Sequence, residues 1–421
     1  AKRDMHYEME QEEHDVYPDD PDFDINKARL VTTAPRICVR YECVPMRFIK
    51  HVYKIHTYAQ DGRLFEGKTP VSAFLNSSYD GSFIAGLMEL RYIQSLPVER
   101  IINYFESHGF TLKKPTAHKL MEKASSLFEN LYKCIRQTAL SDPYKAADET
   151  YYKILVPEKN SKGKGVRKGY LWVVVGINTR MIYLLYDDGS RSEKVILNEL
   201  GGCKGIIQSD GYSPYRKLES DAYPHITRIP CLQHIKRKFI DCGEDDPDAK
   251  RIVEMINTLY QNEHKHKIGV DGWTVEQNLV HRKKYAPDIL GEIKDVLDDI
   301  EERGDLLPKS ELKEAITYLR NEWNAVVDIF NYGDTYLDNN IVERMNRYIS
   351  LSRKNSLFFG SHKGAERGAI LYTIALTCRM NKVNLFEYLT DVINRTAEWQ
   401  PNTPLEKYRL LLPDRWEKAN D

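Results

Sequence analysis

Four strand-like segments lie close together in the middle of this sequence, and this grouping limits most strongly how the chain can fold. Four segments are rich in β-branched and aromatic residues and are typical of successive strands: "YKAADETYYKILVP", "GYLWVVVGINTRMIYLLYDDGS", "KGIIQSDGYSPY" and "ITRIPCLQHIKRKF". The second segment turns at Asn178-Thr179, which predicts an antiparallel pair, and a helix is expected after the fourth. A strand block of this kind, followed by helical sequence, predicts an α/β layer with a helical domain inserted into it.

The rest of the chain favours helices, apart from its first part. Residues 1–30 have the composition of an acidic tail, and residues 31–66 predict short antiparallel strands that break at Pro45 and Asp61-Gly62. Residues 71–140 have helical spacing, as do residues 240–330 and 338–398. Breaks in the second helical stretch are expected at Pro247, Gly272, Pro287, Gly304 and Pro308.

Composition places the chain among intracellular, soluble proteins. Hydrophobic residues make up 42% and charged residues 29%, and no apolar run reaches the length of a membrane span. Seven cysteines without a CxxC pair do not form a disulfide framework, which fits a reducing cytoplasm. The chain begins at Ala1 without a methionine, so the loss of an upstream segment stays open.

A nucleic-acid partner can be argued only from local basic patches, because the formal net charge is −1. Residues 97–125 resemble a helix-turn-helix around Gly109, with basic candidates Arg100, Lys113, Lys114, His118 and Lys119. Two packed helices without a role in DNA binding would give the same pattern. Residues 158–169 predict a mobile basic loop or merely a hairpin tip, with Lys162, Lys164, Arg167 and Lys168; Arg237 lies in a further cluster.

Three carboxylates stand out beside these patches. Asp148 lies in the first strand segment, Asp210 ends the third, and Glu343 begins a helix rich in asparagine and arginine. Each has a structural alternative: a turn cap for Asp148, support of the Gly211 turn for Asp210, and a capping box from Asn340 to Glu343. Together they could hold two divalent cations for phosphodiester chemistry. Basic and amide groups for phosphate contacts follow Glu343 on the same helix: Arg344, Asn346, Arg347, Arg353, Lys354 and Asn355.

Several sequence blocks in order carry a family resemblance. They are "ADET", "GYLWVVVG", "IIQSDGYSPY", "PCLQHIKRKF", "YLDNNIVERMNRYISLSRKNSLFFGS", "NKVNLFEYLTDVI" and "LLPDRWEK". This series resembles the signature blocks of the insertion sequence 66 family of bacterial transposases over about residues 70 to 416. The competing acids Asp187, Asp188 and Asp338 match none of the positions at which the family carries its triad acids.

The resemblance implies a ribonuclease-H-like (retroviral-integrase-like) α/β core with an Asp, Asp, Glu triad at Asp148, Asp210 and Glu343. It implies Mg²⁺ as cofactor, with Mn²⁺ as a substitute. The expected division of the chain is an acidic tail (1–30), a small β module (31–70), a helical DNA-binding region (71–140), the first part of the core (141–239), a helical insertion (240–332), the second part of the core (333–398) and a C-terminal tail (399–421).

The activity that the resemblance implies is transposition. Such a protein binds the terminal inverted repeats of its element, cleaves the DNA ends and joins the 3′-OH to target DNA. The expected partners are DNA, a second copy of the chain and accessory proteins of the same element, in a bacterial cytoplasm at the nucleoid. A nuclease that cuts without joining, or a domesticated DNA-binding protein without catalysis, stays the alternative.

Zinc is not expected from the sequence. Cys38 and Cys43 lack the second cysteine pair that many family members carry upstream. Cys231-x-x-His234 resembles an element found after the second acid in several transposases with helical insertions. Two ligands do not make a zinc site, and local packing is the favoured role of this pair.

Overall fold

The computed structural model describes residues 26, 46–60, 63–66, 72–74, 77–158, 163, 165–243, 245–397, 399–400 and 402–418. The chain divides into two compact units, residues 1–47 and 48–421. Of the first unit only residues 26, 46 and 47 are described, so Cys38, Cys43 and nearly all of the predicted acidic tail lie outside the described residues. All helices and strands given below belong to the second unit.

Two short strands and four helices precede the main sheet. The strands β1 (Thr57–Gln60) and β2 (Arg63–Glu66) pair antiparallel, as predicted for this part of the chain. The helices are α1 (Gly81–Tyr92), α2 (Val98–Ser107), α3 (Lys114–Leu127) and α4 (Glu129–Ser141). The predicted pair of helices is present as α2 and α3, and Gly109 between them has a φ of +82°, which favours glycine.

The central sheet is mixed. Its strands are β3 (Tyr144–Leu155), β4 (Val166–Gly176), β5 (Met181–Leu185), β6 (Gly205–Ser209) and β7 (Ile226–Pro230), in the order β5-β4-β3-β6-β7. The predicted antiparallel pair is β4 with β5, and β3 is antiparallel to β4. The strands β3, β6 and β7 are parallel to one another. The α/β class is therefore confirmed.

Short helices connect these strands, and a long helical stretch follows them. The connecting helices are α5 (Glu193–Leu200) and α6 (Ser213–Arg216). After β7 come α7 (Leu232–Ile240), α8 (Pro247–Glu263), α9 (Val275–Glu302) and α10 (Glu311–Ile329). The chain continues with α11 (Asn340–Asn355), β8 (Phe358–Phe359), α12 (His362–Met380), α13 (Leu385–Thr396) and α14 (Leu405–Arg409). None of the helices among the described residues is both long and apolar enough to cross a membrane.

The break expected at Pro287 was wrong. Pro287 lies inside α9, a helix of 28 residues. Its neighbours Ala286 and Leu290 are buried in the core that α9 shares with α8 and α10. Pro287 itself is exposed, so the carbonyl that loses its helical hydrogen bond can be hydrated, and packing of the apolar face offsets the cost of the proline. The break at Pro247 is the start of α8, where the Asp246 side chain accepts from two backbone N–H groups.

The edge strand β5 is covered by α12. The Thr377 hydroxyl accepts from the Ile182 N–H at 3.2 Å and donates to the Ile182 carbonyl at 2.9 Å, while the Thr373 hydroxyl accepts from the Leu184 N–H at 3.0 Å. These threonines satisfy backbone groups that an edge strand otherwise leaves unpaired.

A buried charged pair connects the helical stretch to the sheet. Arg228 of β7 donates to the Glu322 carboxylate of α10 at 2.5 Å, and the two side chains are 0% and 1% exposed. Arg228 also donates to the Ser209 hydroxyl at 3.0 Å and to the Asp210 carbonyl at 2.8 Å. Because a buried charge without its partner is costly, this pair fixes α10 against the ends of β6 and β7.

Replacing Glu322 with alanine removes the buried counter-charge of Arg228 and leaves the guanidinium only the more exposed Glu219 carboxylate, at 2.5 Å, as an ion-pair partner. We expect the free energy of unfolding to fall by about 3 kcal/mol. The matched control Lys294→Ala removes an exposed ion pair with Asp298 at 3.0 Å and is expected to cost less than about 0.5 kcal/mol. Urea unfolding followed by circular dichroism measures both variants, and equal losses would contradict the importance of the buried pair.

Candidate active site

A cleft of about 270 Å³ opens between β3 and α11. It contains two of the three predicted acids, Asp148 and Glu343. The other residues that line it are Glu149, Thr150, His234, Asn346, Arg347 and Ser350. Three carboxylates, one amide and one arginine dominate this lining, so the cleft suits cations and phosphate groups rather than an apolar ligand.

The position of α11 follows from a gap beside β3. On the side away from β4, β3 pairs with β6 only at residues 144–146 and with β8 only at residues 153 and 154. Side chains of α11 and its N-cap contact β3 between these points. Asn339 donates to the Ala147 carbonyl at 3.0 Å, and Arg353 donates to the Tyr151 carbonyl at 2.6 Å.

Glu343 lies on the same face of α11 as these anchors. Asn339, Asn346 and Arg353 recur every seven residues, which is about two helical turns, and Glu343 is four residues after the first of them. The face that bonds β3 therefore also carries Glu343 into the cleft. The signal was present in the sequence as the spacing Asn339-x₆-Asn346-x₆-Arg353, but only the gap in the sheet gives that spacing a meaning.

The capping box considered for Glu343 is wrong. Asn339, not Asn340, is the N-cap of α11, and α11 has no side-chain cap hydrogen bond. The Asn339 side chain is drawn to β3 instead. Among the described residues, no hydrogen-bond partner is found for the buried Oε1 atom of Glu343, which lies 3.7 Å from Nδ1 of His234. Glu343 is therefore free of a capping role.

Asp148 is held within β3, where its cross-strand neighbour is Val173, so it does not cap a turn. Its carboxylate accepts from the Asn346 side chain at 2.5 Å and from the Glu149 N–H at 2.8 Å. Burial, followed by the charges of Glu149 and Asp210, raises the pKa of Asp148 to about 8. A carboxyl that is costly to ionise here gains from a nearby cation.

Glu149 is a neighbour that the sequence analysis did not select. Its carboxylate accepts from Arg191 at 2.5 Å and from the Tyr215 hydroxyl at 3.3 Å. Burial raises the pKa of Glu149, while the hydrogen bond from Arg191 lowers it. Because Arg191 already neutralises Glu149, Asp148 is the better candidate of the two for holding a cation.

Asp210 ends β6 and is held from three sides. Its carboxylate accepts from the Tyr212 N–H at 3.1 Å, as expected if it supports the turn, and its carbonyl accepts from Arg228. The Gly211 N–H donates to the Tyr318 hydroxyl of α10 at 2.8 Å, and a Cβ on Gly211 would lie 2.5 Å from that oxygen. A larger residue at position 211 would therefore have to displace the Tyr318 ring. Asp210 does not line the cleft, but its charge acts on Asp148 and Glu149.

A second group of ligand-type side chains adjoins the cleft. Single donor atoms of Cys231, His234 and Glu343 lie within 4.8 Å of one another. Cys231 is the N-cap of α7 and is buried, and its sulfur accepts from the Asn339 N–H at 3.2 Å. Burial raises the pKa of the Cys231 thiol to about 12.

The predicted DNA contacts on α11 fall into two groups. Arg347 and Lys354 are exposed, and Arg347 also lines the cleft. Arg353 and Asn355 have partners within the protein: the Arg353 guanidinium lies 4.0 Å from the centre of the Tyr151 ring, and Asn355 donates to the Ser95 carbonyl at 3.3 Å. These two residues position α11 in addition to any contact with DNA.

The remaining basic candidates lie away from the cleft lining. Among them, Arg100, Lys113, Lys119, Arg167, Lys168 and Arg237 are exposed. Lys114 forms an ion pair with Glu99 at 2.7 Å, and Lys168 lies over the Tyr151 ring at 4.3 Å. Lys162 and Lys164 lie outside the described residues.

Asp148→Asn tests the electrostatic cost of this site. A carboxyl whose pKa is raised on folding keeps its proton in the folded state at pH values where the unfolded chain has already lost it. The free energy of unfolding therefore falls as the pH rises from about 4 to about 8. In EDTA we expect the variant to exceed the parent in free energy of unfolding by about 1 kcal/mol at pH 8 and by almost nothing at pH 4. Thermal unfolding across this pH range measures the difference. Asp187→Asn changes an exposed carboxylate and should leave the free energy of unfolding unchanged. If the stability difference between Asp148→Asn and the parent did not depend on pH, the argument would be refuted.

Comparison with known proteins gives a family and several relatives. The model of the transposase IS66 family matches residues 76–367, which include Asp148, Asp210 and Glu343. The uncharacterized protein y4jD of Sinorhizobium fredii is 26% identical over 79% of this chain, and the chain spans 65% of that relative.

Two more relatives come from the same organism and also carry no described activity. The uncharacterized protein y4hP is 24% identical over 94% of this chain and 76% of its own length. The uncharacterized protein y4qI is 26% identical over 87% of this chain and 69% of its own length. Because the family match covers most of the chain, from α1 into α12, the chain belongs to the IS66 family of transposases.

Proposed function

We propose that the chain is the DNA-cleaving and DNA-joining transposase of an insertion sequence. The observation that carries the proposal is the cleft that Asp148 and Glu343 both line. The charge of Asp210 reaches this cleft, since it raises the pKa of Asp148. Residues far apart in sequence supply this acidic centre. The proposed reaction is cleavage at the terminal inverted repeats, followed by attack of the freed 3′-OH on target DNA.

The fold supports a ribonuclease-H-like core. Three antiparallel strands, β5, β4 and β3, are extended by the parallel strands β6 and β7, and the acids come from β3, from the end of β6 and from α11. The helices α8, α9 and α10 lie between the second and third acids in the chain. In this proposal they form the helical insertion.

The side chains of the site fit Mg²⁺, with Mn²⁺ as its substitute. Oxygen donors are what Mg²⁺ prefers, and the buried Oε1 of Glu343 and Oδ1 of Asn346 have no hydrogen-bond partner among the described residues. Asp148, Asp210 and Glu343 would hold the ions. The chemistry such ions supply is activation of the attacking and leaving oxygens in a phosphodiester displacement.

The protein's own groups orient the acids and the DNA. Asn346 holds the Asp148 carboxylate, while Arg228 and Tyr318 fix the turn that carries Asp210. Arg347, at the edge of the cleft, is placed to bind a phosphate oxygen. Fixed donors and acceptors of this kind lower the barrier because little reorganisation is needed during the reaction.

Binding of the element ends is assigned to α2 and α3. Just after the turn, α3 and its N-cap present Lys113 and Lys119 to solvent, and α2 presents Arg100 in its first helical turn, which favours phosphate contacts. Two ends must be joined in one reaction, so we propose that at least two copies of the chain act together, with accessory proteins of the element as further partners.

Glu343→Gln separates catalysis from folding. The amide retains the shape of the side chain but loses the charge that would hold a cation. We therefore expect end cleavage with Mg²⁺ to fall at least about 1,000-fold, which is the size of loss seen when a group that stabilises transition-state charge is removed. Affinity for DNA ends and the unfolding midpoint should change little. The measurement is cleavage of labelled end DNA, with gel-shift binding as the companion.

The matched control is Glu366→Gln on α12, which changes an exposed glutamate outside the cleft lining and should cleave normally. Equal activity of both variants would refute the triad. Cleavage by the parent protein without any strand joining would favour a nuclease, and specific end binding without cleavage would favour a non-catalytic DNA-binding protein.

Lys113→Glu/Lys119→Glu tests the DNA-binding role of α3. Neither lysine forms an ion pair with the other described residues, so charge reversal leaves the internal Lys114–Glu99 pair intact. If both contact phosphate, affinity should fall and the slope of log K against log salt should become shallower by about 1.8. Fluorescence anisotropy from low to high salt measures the slope. Lys133→Glu on α4 is the control, and a slope equal in all three proteins would count against the role.

A further inference from the structure

We propose that Cys231, His234 and Glu343 form a binding site for a soft divalent cation of the Zn²⁺ type, which competes with Mg²⁺ for Glu343. The site itself stands on the three side chains. Its effect on the reaction rests on the proposed function, because only a catalytic Glu343 would make the competition matter.

Two separate elements supply the ligands. Cys231 and His234 occupy the N-cap and the third position of α7, and Glu343 lies in the first turn of α11. The elements are held together by the hydrogen bond from the Asn339 N–H to the Cys231 sulfur and by a bond from the Leu232 N–H to the Leu337 carbonyl at 2.9 Å. The sequence offered two ligands, and the third becomes visible only when α11 packs beside α7.

The spacing of the donor atoms is close to that of a zinc site. Zinc–nitrogen and zinc–oxygen bonds of about 2.1 Å at the tetrahedral angle place two ligand atoms about 3.4 Å apart. Nδ1 of His234 and Oε1 of Glu343 are 3.7 Å apart, and all three donor atoms lie within 4.8 Å of one another. The His234 and Glu343 side chains are each 29% exposed, so small rotations can close the remaining distance.

Unpartnered buried atoms give an independent indication of a ligand. Among the described residues, neither Nδ1 of His234 nor Oε1 of Glu343 has a hydrogen-bond partner, although both atoms are buried. Two adjacent buried atoms of this kind carry a cost that a shared cation removes. Such a cation would also take the place of the Cys231 thiol proton.

The chemistry of the three donors selects the cation. A thiolate and an imidazole favour Zn²⁺ or Co²⁺, whereas Mg²⁺ prefers oxygen ligands. Three protein ligands leave a fourth position for water, as in open zinc sites. A cation at this site engages the Glu343 carboxylate, so that carboxylate is no longer free to serve the Asp148 side of the cleft.

Cobalt binding tests the site without relying on catalysis. The full chain carrying Cys38→Ser and Cys43→Ser, which removes two other thiols, is freed of metal and titrated with Co²⁺. We expect one equivalent to produce the near-ultraviolet absorption of a cobalt–thiolate bond together with the visible bands of four-coordinate cobalt, and Zn²⁺ to abolish both.

Variants in the same background assign the ligands. Cys231→Ser should lose the thiolate absorption, and His234→Ala and Glu343→Gln should each weaken cobalt binding at least about tenfold. Cys242→Ser, which changes a half-buried free cysteine just after α7, is the matched control and should retain the full spectrum. Circular dichroism checks that each variant is folded. If Cys231→Ser does not fold, the titration of His234→Ala with Co²⁺ decides whether the site exists, because this variant should also bind cobalt more weakly.

Two results would overturn the site: cobalt binding without thiolate absorption, or a thiolate band that survives in Cys231→Ser. The effect on the reaction is measured as the fall in end cleavage when Zn²⁺ is added at fixed Mg²⁺, relative to each protein's own zinc-free rate. We expect His234→Ala to need at least about tenfold more Zn²⁺ for the same fall. Normal cleavage without a cobalt spectrum refutes the metal site and leaves the proposed function standing. A cobalt spectrum without cleavage supports the metal site and refutes the proposed function.

Discussion

The gap beside β3 is the constraint on which the candidate site depends. Between its short pairings with β6 and β8, β3 offers backbone carbonyls that no strand takes up, and Asn339 and Arg353 bond them from α11. An unpaired buried carbonyl is costly, so these bonds fix both the position and the rotation of the helix. The rotation carries Glu343 towards Asp148. The geometry of the candidate site is thus a consequence of completing a sheet with side chains.

A second constraint is charge. The charges of Glu149 and Asp210 raise the cost of ionising Asp148, the charge of Asp210 does the same for Glu149, and Arg191 neutralises only Glu149. Such an arrangement is stable when a cation or a protonated carboxyl relieves the repulsion. The same turn that carries Asp210 is bonded by Arg228 of the sheet and Tyr318 of α10. The helical stretch after β7 is therefore part of the support of the site, and changes in its packing would reach Asp210 through these two bonds.

Glu343 adjoins two donor sets of different chemistry. One set consists of the oxygen donors of the cleft, and the other consists of the Cys231 sulfur and the imidazole of His234, which also lines the cleft. Hard and soft cations select between such sets by ligand type. In the proposed site the Cys231-x-x-His234 element binds a cation in addition to packing locally, and the proposed competition acts on the single carboxylate that both sets share.

The sequence by itself determined the order of the main strands and helices and selected Asp148, Asp210 and Glu343 as candidates, because periodicity and motif blocks are local properties of the chain. It also located the two helices α2 and α3. Tertiary structure decided the rest. Pro287 remains in α9 because core packing outweighs a lost backbone bond. Asn339 is the N-cap of α11, and its side chain donates to the Ala147 carbonyl of β3 instead of capping the helix. Arg228 and Glu322 meet across 94 residues of sequence. Such partners are chosen by burial and geometry, which exist only after distant segments have packed together.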